Sequence, residues 1–484
     1  MQEDRLGEMI TEAFRQPLVG AFRGAPNYEN IETTVRGALD ALGLRGNCPL
    51  ADVIKPGDCV VLKPNLIREA HATRPDEWEQ VITHGAVIRF VAELTADALQ
   101  GKGRIVIADG PQTDSDFDKI CARTGLREIQ HGVRAAGVVS DVLDLRRDRW
   151  FQKGDVIYKR IPLPGDPAGY TTVDLGEGSE FSSYTLSGRF YGADYDMGET
   201  FRYHSGGRHA YVLCRTVVDA DVVINLPKLK THKKTGVTLS LKNLVGINGY
   251  RNCLPHFTVG TPAEQGDEFA SKNLRSKLQS RGIVRFKKAL SASGGRGGRI
   301  ARFTKQIGRM AFGDTSEVIR SGNWYGNDTV WRMVLDLNKA LFYFDGAGRR
   351  REKPLRYLTI VDGIIGGEGD GPMAPDAVPA GLVFAGFNPV AVDSVCAMLM
   401  GFDDTKIPLL AGAWRAAPYP LADFHRESIR CVSNIREWNG GMEHLGGAPH
   451  LGMRPHFGWA GRIERKAQTV VARGRATERF SYDL

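Results

Sequence analysis

Four apolar runs in this sequence each end abruptly in a polar, turn-forming cluster. The clearest run covers residues 222–224, and a segment rich in lysine, threonine and histidine follows it at 225–235. A short β-branched run of this kind is typical of a fully buried strand, and Pro227 ends it because proline cannot donate to a strand ladder. The other three clusters are Lys63-Pro64-Asn65, Asp109-Gly110-Pro111 and the glycine-rich turn at 362–372.

Helical patterns separate these predicted strands. Apolar residues recur at helical spacing from about 83 to 94 and from about 329 to 342, and Asn388-Pro389 predicts another helix start. Strands that alternate with helices predict an α/β fold, with a mainly parallel sheet and helices on both faces. Ligands of such sheets bind outside the carboxyl ends of the strands, so we expect the four clusters to converge on one rim.

Changes in composition and in the spacing of apolar residues divide the chain into five parts. Apolar residues at helical spacing predict helices before the core, and a stretch rich in Gly, Tyr, Asp and Ser interrupts the core itself. The parts are an N-terminal helical segment at 1–50, the first part of the core at 51–268 with an irregular β-rich insertion at 146–210, a basic helical insertion at 269–328, the second part of the core at 329–413, and a C-terminal extension at 414–484.

The cysteines and the N-terminus indicate a cytoplasmic protein. The seven cysteines are scattered, and no Cys-x-x-Cys occurs that could serve a zinc ribbon, a redox dithiol or an iron–sulfur cluster. The first residues lack a basic region followed by an apolar one, so no secretory signal is predicted. The apolar stretch at 378–402 is divided by Gly386, Asn388 and Pro389, which favours a buried strand and helix over a membrane span.

Most of the positive charge lies in one segment. Residues 270–313 contain 12 basic side chains and no acidic one, whereas the whole chain has a net charge of +8. Ile300, Phe303, Ile307 and Met310 fall at helical spacing among these cations. Such a helix suits peripheral contact with the inner face of an anionic membrane. The alternative is a helix that packs on its own domain and leaves its basic face solvated. Few aromatic residues interleave with the cations, which disfavours nucleic acid.

The expected rim combines cations with carboxylates. Buried charges must pair with each other, with a ligand or with water. We therefore predict an anionic substrate bound by Lys63, Asn65, Lys228, Lys230, Thr231, Lys242 and Asn243. We predict a divalent cation such as Mg²⁺ held by Asp109, Asp362, Glu368 and Asp370, with His232, His84 and Asp362 as catalytic groups. The alternative is a self-satisfied network of lysine–aspartate pairs that braces the loops.

Six motifs, in this order along the chain, carry a resemblance to a known family: VVLKPN, ITHGAVIRFV, IADGP, LPKLKTHKKTGVTLSLKNLVG, DGIIGGEGDGP and NPVAVDSV. Together they resemble the domain-of-unknown-function (DUF) 362 family, from about residue 55 to 410. Some members carry ferredoxin-like cysteine runs, but this chain has none, so the resemblance implies no iron–sulfur cofactor here. Longer members are encoded among cell-surface polysaccharide genes, which implies a substrate or partner in that pathway. The family implies no particular reaction.

Three functional hypotheses follow. The first is a cytoplasmic enzyme that acts on a phosphorylated or carboxylated sugar or a lipid-linked glycan. The second is a non-catalytic adaptor that binds a glycan or lipid phosphate and docks through its basic segment. The third is a redox accessory protein, as the iron–sulfur members of the family imply.

Overall fold

The computed structural model describes residues 16–153, 156–184, 187–193, 197–271, 318–415 and 418–466. The strands are β1 Leu18–Arg23, β2 Cys59–Pro64, β3 Arg104–Asp109, β4 Val139–Asp144, β5 Asp148–Lys153, β6 Val156–Pro162, β7 Tyr170–Asp174, β8 Phe190–Tyr191, β9 Ala210–Cys214, β10 Val222–Leu226, β11 Lys228–His232, β12 Gly236–Val237, β13 Phe257–Thr258, β14 Arg356–Asp370, β15 Ala374–Gly386, β16 Arg430–Ser433 and β17 Gly440–Gly441. The helices are α1 Ile31–Asp40, α2 Gly85–Leu99, α3 Phe117–Thr124, α4 Leu126–Ala135, α5 Met197–Tyr203, α6 Arg215–Val218, α7 Leu239–Asn243, α8 Val330–Tyr343, α9 Pro389–Met400, α10 Pro408–Ala413 and α11 Met442–Gly447.

One 11-stranded sheet forms the centre of the molecule. Its main path runs β17-β16-β1-β15-β14-β10-β2-β3-β4, and β11 and β12 join it beside β14. The stretch from β14 through β10, β2 and β3 to β4 is parallel, whereas β15 runs antiparallel to both of its neighbours. The predicted α/β fold with a mainly parallel sheet is therefore confirmed.

Apolar cores lie on both faces of the sheet. Successive side chains of a strand point to opposite faces, so Val223 joins one core while Val222 and Ile224 join the other. Helices α1, α2, α3 and α4 cover the second core, and α8 and α9 cover the first. This double burial explains why the central strands read as continuous apolar runs rather than as an alternating pattern.

Residues 16–50 combine a helix with a strand that the sequence does not predict, whereas the helical pattern at 9–14 lies outside the described residues. Helix α1 occupies 31–40, but Leu18–Arg23 forms strand β1 between β15 and β16. The glycine in this strand hides the strand pattern and is required by packing, because a Cβ at Gly20 would lie 2.2 Å from the carbonyl oxygen of Ala38 in α1. Tertiary pairing here overrides a weak local signal.

The insertion within the core and the C-terminal extension both contain strands. The β-rich insertion contains the hairpin β5–β6, the pair β7–β9 and the strand β8. The C-terminal extension, for which no structure was predicted, supplies β16 and β17 to the main sheet. The basic segment at 272–317, with its predicted amphipathic helix, lies outside the described residues.

The apolar stretch at 378–402 forms strand β15 and helix α9, which are separated at Asn388. This is the division into strand and helix that the glycine, asparagine and proline in the stretch predict. None of the helices in the described parts of the chain combines the length and the apolar character that crossing a bilayer requires.

Candidate functional site

The four polar clusters meet at one rim of the sheet. Lys63 at the end of β2 lies 2.7 Å from Asp109 at the end of β3, measured from Nζ to Oδ1. Lys230 Nζ donates to Asn65 Oδ1 at 3.2 Å, and Lys228 Nζ lies 2.8 Å from Asp362 Oδ2. Residues separated by up to three hundred positions therefore share one buried polar region, as parallel strands require.

The lysine-rich segment is a strand rather than the expected loop. Pro227 ends β10, but the chain then continues as β11 and pairs with β14, with Lys228 opposite Asp362 and Lys230 opposite Gly367. The register shifts between these two pairs, so a bulge interrupts the ladder between β11 and β14. All five residues of β11 are buried, which places its lysines inside the protein.

The pair Lys228–Asp362 is saturated. Besides Lys228, Asp362 accepts hydrogen bonds from the hydroxyl of Tyr28 at 3.1 Å and from the backbone N–H of His84 at 2.9 Å. Lys228 Nζ also donates to the Tyr28 hydroxyl at 2.9 Å. Burial and the neighbouring carboxylate of Asp362 raise the pKa of Tyr28 well above its usual value. This part of the site matches the alternative of a self-satisfied bracing network.

His84 serves as a helix cap within an aromatic stack. Its ring lies between Tyr28, at 3.6 Å between centroids, and Trp78, at 4.9 Å. Its Nδ1 accepts from the N–H of Ala86 at 3.1 Å, and its Nε2 lies 3.5 Å from Glu79 Oε1. The hydrogen bond to His84 lowers the pKa of Glu79. The predicted catalytic role of His84 therefore gains no support from its position, because both ring nitrogens are already engaged.

A chain of buried amides leads away from Lys230. Asn65 Nδ2 donates to Asn243 Oδ1 at 2.9 Å, and Asn243 Nδ2 donates to Asn225 Oδ1 at 2.7 Å. Asn225 Nδ2 in turn donates to the Tyr357 hydroxyl at 2.7 Å. Asn65 and Asn243 thus hold their neighbours by hydrogen bonds, and their predicted contact with substrate stays a prediction.

Lys230 has no carboxylate partner within the described ranges. Its Nζ donates to Asn65 and to the backbone carbonyls of Val81 and Pro372, and all three acceptors are neutral. Burial, together with the charges of Lys228 and Lys242, holds the pKa of Lys230 well below its usual value. A buried cation without a counter-charge is costly, so this position is suited to an anionic ligand.

Lys242 belongs to the short helix α7 and lies beside Lys63 and Arg251. Asp109 balances Lys63 and also accepts from the N–H of Leu66 at 2.7 Å and of Gly110 at 2.9 Å. No described residue forms a hydrogen bond or ion pair with the ammonium of Lys242. Burial and the nearby charges of Arg251 and Lys63 lower the pKa of Lys242 to about 7.

His232 is held as a neutral imidazole. Its Nδ1 accepts from the N–H groups of Lys234 at 3.0 Å and Thr235 at 3.2 Å. Burial and the surrounding lysines hold its pKa well below its usual value. With Nδ1 accepting, the neutral ring carries its proton on Nε2, so Nε2 is an N–H donor rather than a base. Thr231 donates to the carbonyl of Gly369 at 2.9 Å and braces β14.

The described part of the structure gives no support to the predicted metal site of four carboxylates. Asp109 and Asp362 pair with lysines, and Glu368 Oε1 lies 3.0 Å from Nε of Arg454. Across the described ranges, no three side chains among His, Cys, Asp and Glu are grouped as a metal ion requires. Asp370 Oδ1 lies 3.9 Å from Nε2 of His456 in the C-terminal extension.

We name the group Lys63, Lys230, His232, Lys242 and Arg251 the cationic cluster. Sequence patterns pointed to four of its members, and they missed Arg251, which donates to the carbonyls of Gly110 and Pro111. They also missed Tyr28, Trp78 and Glu79, which surround His84. No local pattern marks these residues, because only the fold brings them to the rim.

Comparison with known proteins places these residues in a family. The sequence model of the family described as "Domain of unknown function (DUF362)" matches residues 60–173 and 178–398. The chain belongs to the DUF362 family. The match contains every member of the cationic cluster. This DUF362 chain is also 24% identical, over 398 residues, to a protein of Synechocystis named as thylakoid-associated, and the alignment covers 82% of this chain and 78% of that protein.

Proposed function

We propose that this DUF362 protein is an enzyme whose cationic cluster binds the phosphate or carboxylate group of a small substrate. The proposal rests on two lysines at the rim that have no carboxylate partner among the described residues. Lys230 donates only to neutral acceptors, and Lys242 has no partner among the described residues. Asp109 is the carboxylate that faces this group, and Lys63 already holds it.

Charge and burial support an anion at this position. Burial lowers the pKa values of Lys63, Lys230 and Arg251, because their charged forms are desolvated. An anion within hydrogen-bonding distance favours the charged forms, so its binding should raise these pKa values. His232 adds a neutral N–H donor, and the backbone around the cluster is held by the buried amides. The phosphorylated or carboxylated sugars and lipid-linked glycans of our first hypothesis carry such groups.

The test is anion binding by the full chain and by a Lys230→Met variant. Inorganic phosphate and a panel of sugar phosphates, uronic acids and lipid-linked glycans are measured by calorimetry and by the shift of the melting temperature. We expect the variant to bind about 10- to 100-fold more weakly, because it removes a buried positive charge that contributes about 1.5–3 kcal/mol at about 6–10 Å from the anion.

A Lys406→Met variant is the matched control for this experiment. Lys406 pairs with Asp403 at the surface, at 3.0 Å, and removing it deletes one charge away from the cationic cluster. We expect the affinity of Lys406→Met to equal that of the unmodified chain. Equal affinities for Lys230→Met and the unmodified chain would refute the proposed site.

Membrane docking is a second candidate function. The similar protein of Synechocystis is named for its association with thylakoids, and residues 270–313 of this chain carry 12 cations without an acidic residue. We infer that this segment binds an anionic membrane surface, as in the adaptor hypothesis. Cosedimentation with vesicles containing anionic lipid should fall when residues 270–313 are deleted, and unchanged cosedimentation would exclude the segment as the membrane contact.

A further inference from the structure

Lys242 differs from the other lysines of the cationic cluster. Lys63 and Lys230 are completely buried, and the Nζ of each donates to neighbouring protein groups. Lys242 is partly exposed, and within the described part of the chain its Nζ forms no hydrogen bond or ion pair. Its amine is therefore the one in this cluster that an incoming molecule can reach without breaking a protein contact.

Burial and the charges around Lys242 keep a share of it unprotonated. Burial first, and then Arg251 and Lys63, lower its proton affinity, and the charge of Lys242 acts in turn on Lys230, His232 and His256. With a pKa of about 7, Lys242 carries a free amine at neutral pH far more often than an ordinary lysine does. An ordinary lysine is protonated there, and desolvation next to another cation is a known way to make a lysine nucleophilic.

The backbone that carries Lys242 is held on both sides. Asp393 accepts from the N–H of Ser240 at 2.7 Å and of Leu241 at 2.9 Å, which caps the start of α7. Asn338 Nδ2 donates to the carbonyl of Leu241 at 3.0 Å, and Asn243 belongs to the chain of buried amides. This support fixes the position from which the side chain of Lys242 extends, which is what an oriented nucleophile needs.

We propose that Lys242 forms an imine with the carbonyl carbon of an aldehyde or ketone substrate whose phosphate or carboxylate is bound by the cationic cluster. This inference rests on the proposed function and narrows its substrate to anionic carbonyl compounds. The amine lone pair attacks the carbonyl carbon, and the carbonyl oxygen takes a proton to become the hydroxyl of a carbinolamine. Loss of that hydroxyl with a proton from nitrogen yields the C=N bond and one water. No oxidant or reductant is consumed.

A purely electrostatic role for Lys242 makes a different prediction. If its charge alone matters, Lys242→Arg should keep the full function of the site, since arginine supplies a cation at the same position. A guanidinium does not form an imine under these conditions, because it stays protonated. The Lys242→Arg variant therefore separates the nucleophile from the charge.

The experiment traps the imine in the full chain. Glyoxylate, pyruvate and glyceraldehyde 3-phosphate are each incubated with the protein at pH 7, sodium borohydride is added, and the adduct is mapped by peptide mass spectrometry. We expect the adduct on Lys242, since its neutral fraction exceeds that of an ordinary lysine by roughly a thousandfold. Excess inorganic phosphate should suppress it, Lys242→Arg should abolish it, and the surface variant Lys406→Arg should leave it unchanged.

The outcomes distinguish this inference from the proposed function. An adduct spread evenly over surface lysines, an adduct that persists in Lys242→Arg, or no adduct with any of the three compounds would overturn the imine. If one of these outcomes is found but phosphate still raises the melting temperature, the proposed anion binding stands without the imine. If phosphate neither binds nor protects, both proposals fail. Urea unfolding of Lys242→Arg checks that the variant is folded.

Discussion

Replacing Asp362 by asparagine would leave a completely buried ammonium without its counter-charge. In the folded protein Asp362 lies 2.8 Å from Lys228 Nζ and also accepts from Tyr28 and from the N–H of His84. Neither charged side chain is exposed to solvent. Removing one partner of such a pair costs about 3–5 kcal/mol, chiefly because the remaining charge stays desolvated. We therefore expect Asp362→Asn to lower the free energy of unfolding by that amount.

Urea unfolding at pH 7 measures this loss, and a double variant tests its cause. In Lys228→Met/Asp362→Asn the unpaired charge is gone, so most of the lost stability should return. Burial lowers the pKa of Lys228 and Asp362 raises it, so in the single variant the folded pKa should fall further below the unfolded one and stability should rise with pH between the two. A loss below about 1 kcal/mol, or a double variant less stable than Asp362→Asn, would refute the reasoning.

Three further predictions concern the cationic cluster and its support. The pKa of Lys242 is about 7 when folded, below its unfolded value, so its contribution to stability should rise with pH between these two pKa values and stay constant below pH 7. In thermal unfolding Lys242→Met should flatten that slope. A Cβ at Gly246 would lie 1.9 Å from Asp109 Oδ1, so Gly246→Ala should cost about 1–3 kcal/mol in urea and abolish phosphate binding, whereas unchanged binding would contradict the close approach. Asp393→Asn keeps one acceptor for the two N–H groups that start α7 and should cost about 1–3 kcal/mol; a neutral result would show that the cap is dispensable.

The positions of the lysines were predictable, but their partners were not. Buried apolar runs that end in polar turns place Lys63, Asp109, Lys230 and Asp362 at the carboxyl ends of parallel strands. The predicted metal site gained no support because the sequence does not show which partner each carboxylate meets. Asp109 and Asp362 pair with lysines, and Glu368 pairs with Arg454 of the C-terminal extension.

The surroundings of His84 illustrate the same limit. Its position at a helix start follows from the sequence, and the structure confirms the cap. The aromatic rings that enclose it come from Tyr28, which follows a strand that local propensity does not indicate, and from Trp78 in a loop. Both are brought there by long-range packing, so no window of sequence around His84 contains the information.

The sequence by itself determined the alternation of strands and helices, the burial of the strands, and the edge at which their polar ends gather. These properties follow from local hydrophobic patterns and from the direction of parallel strands. Only the tertiary structure decided which charges are neutralised and which are left over, because pairing depends on register, on strand length and on contacts between distant segments. That is why Lys228 proved to be a bracing residue, and why Lys242, on the same rim, has no partner among the described residues.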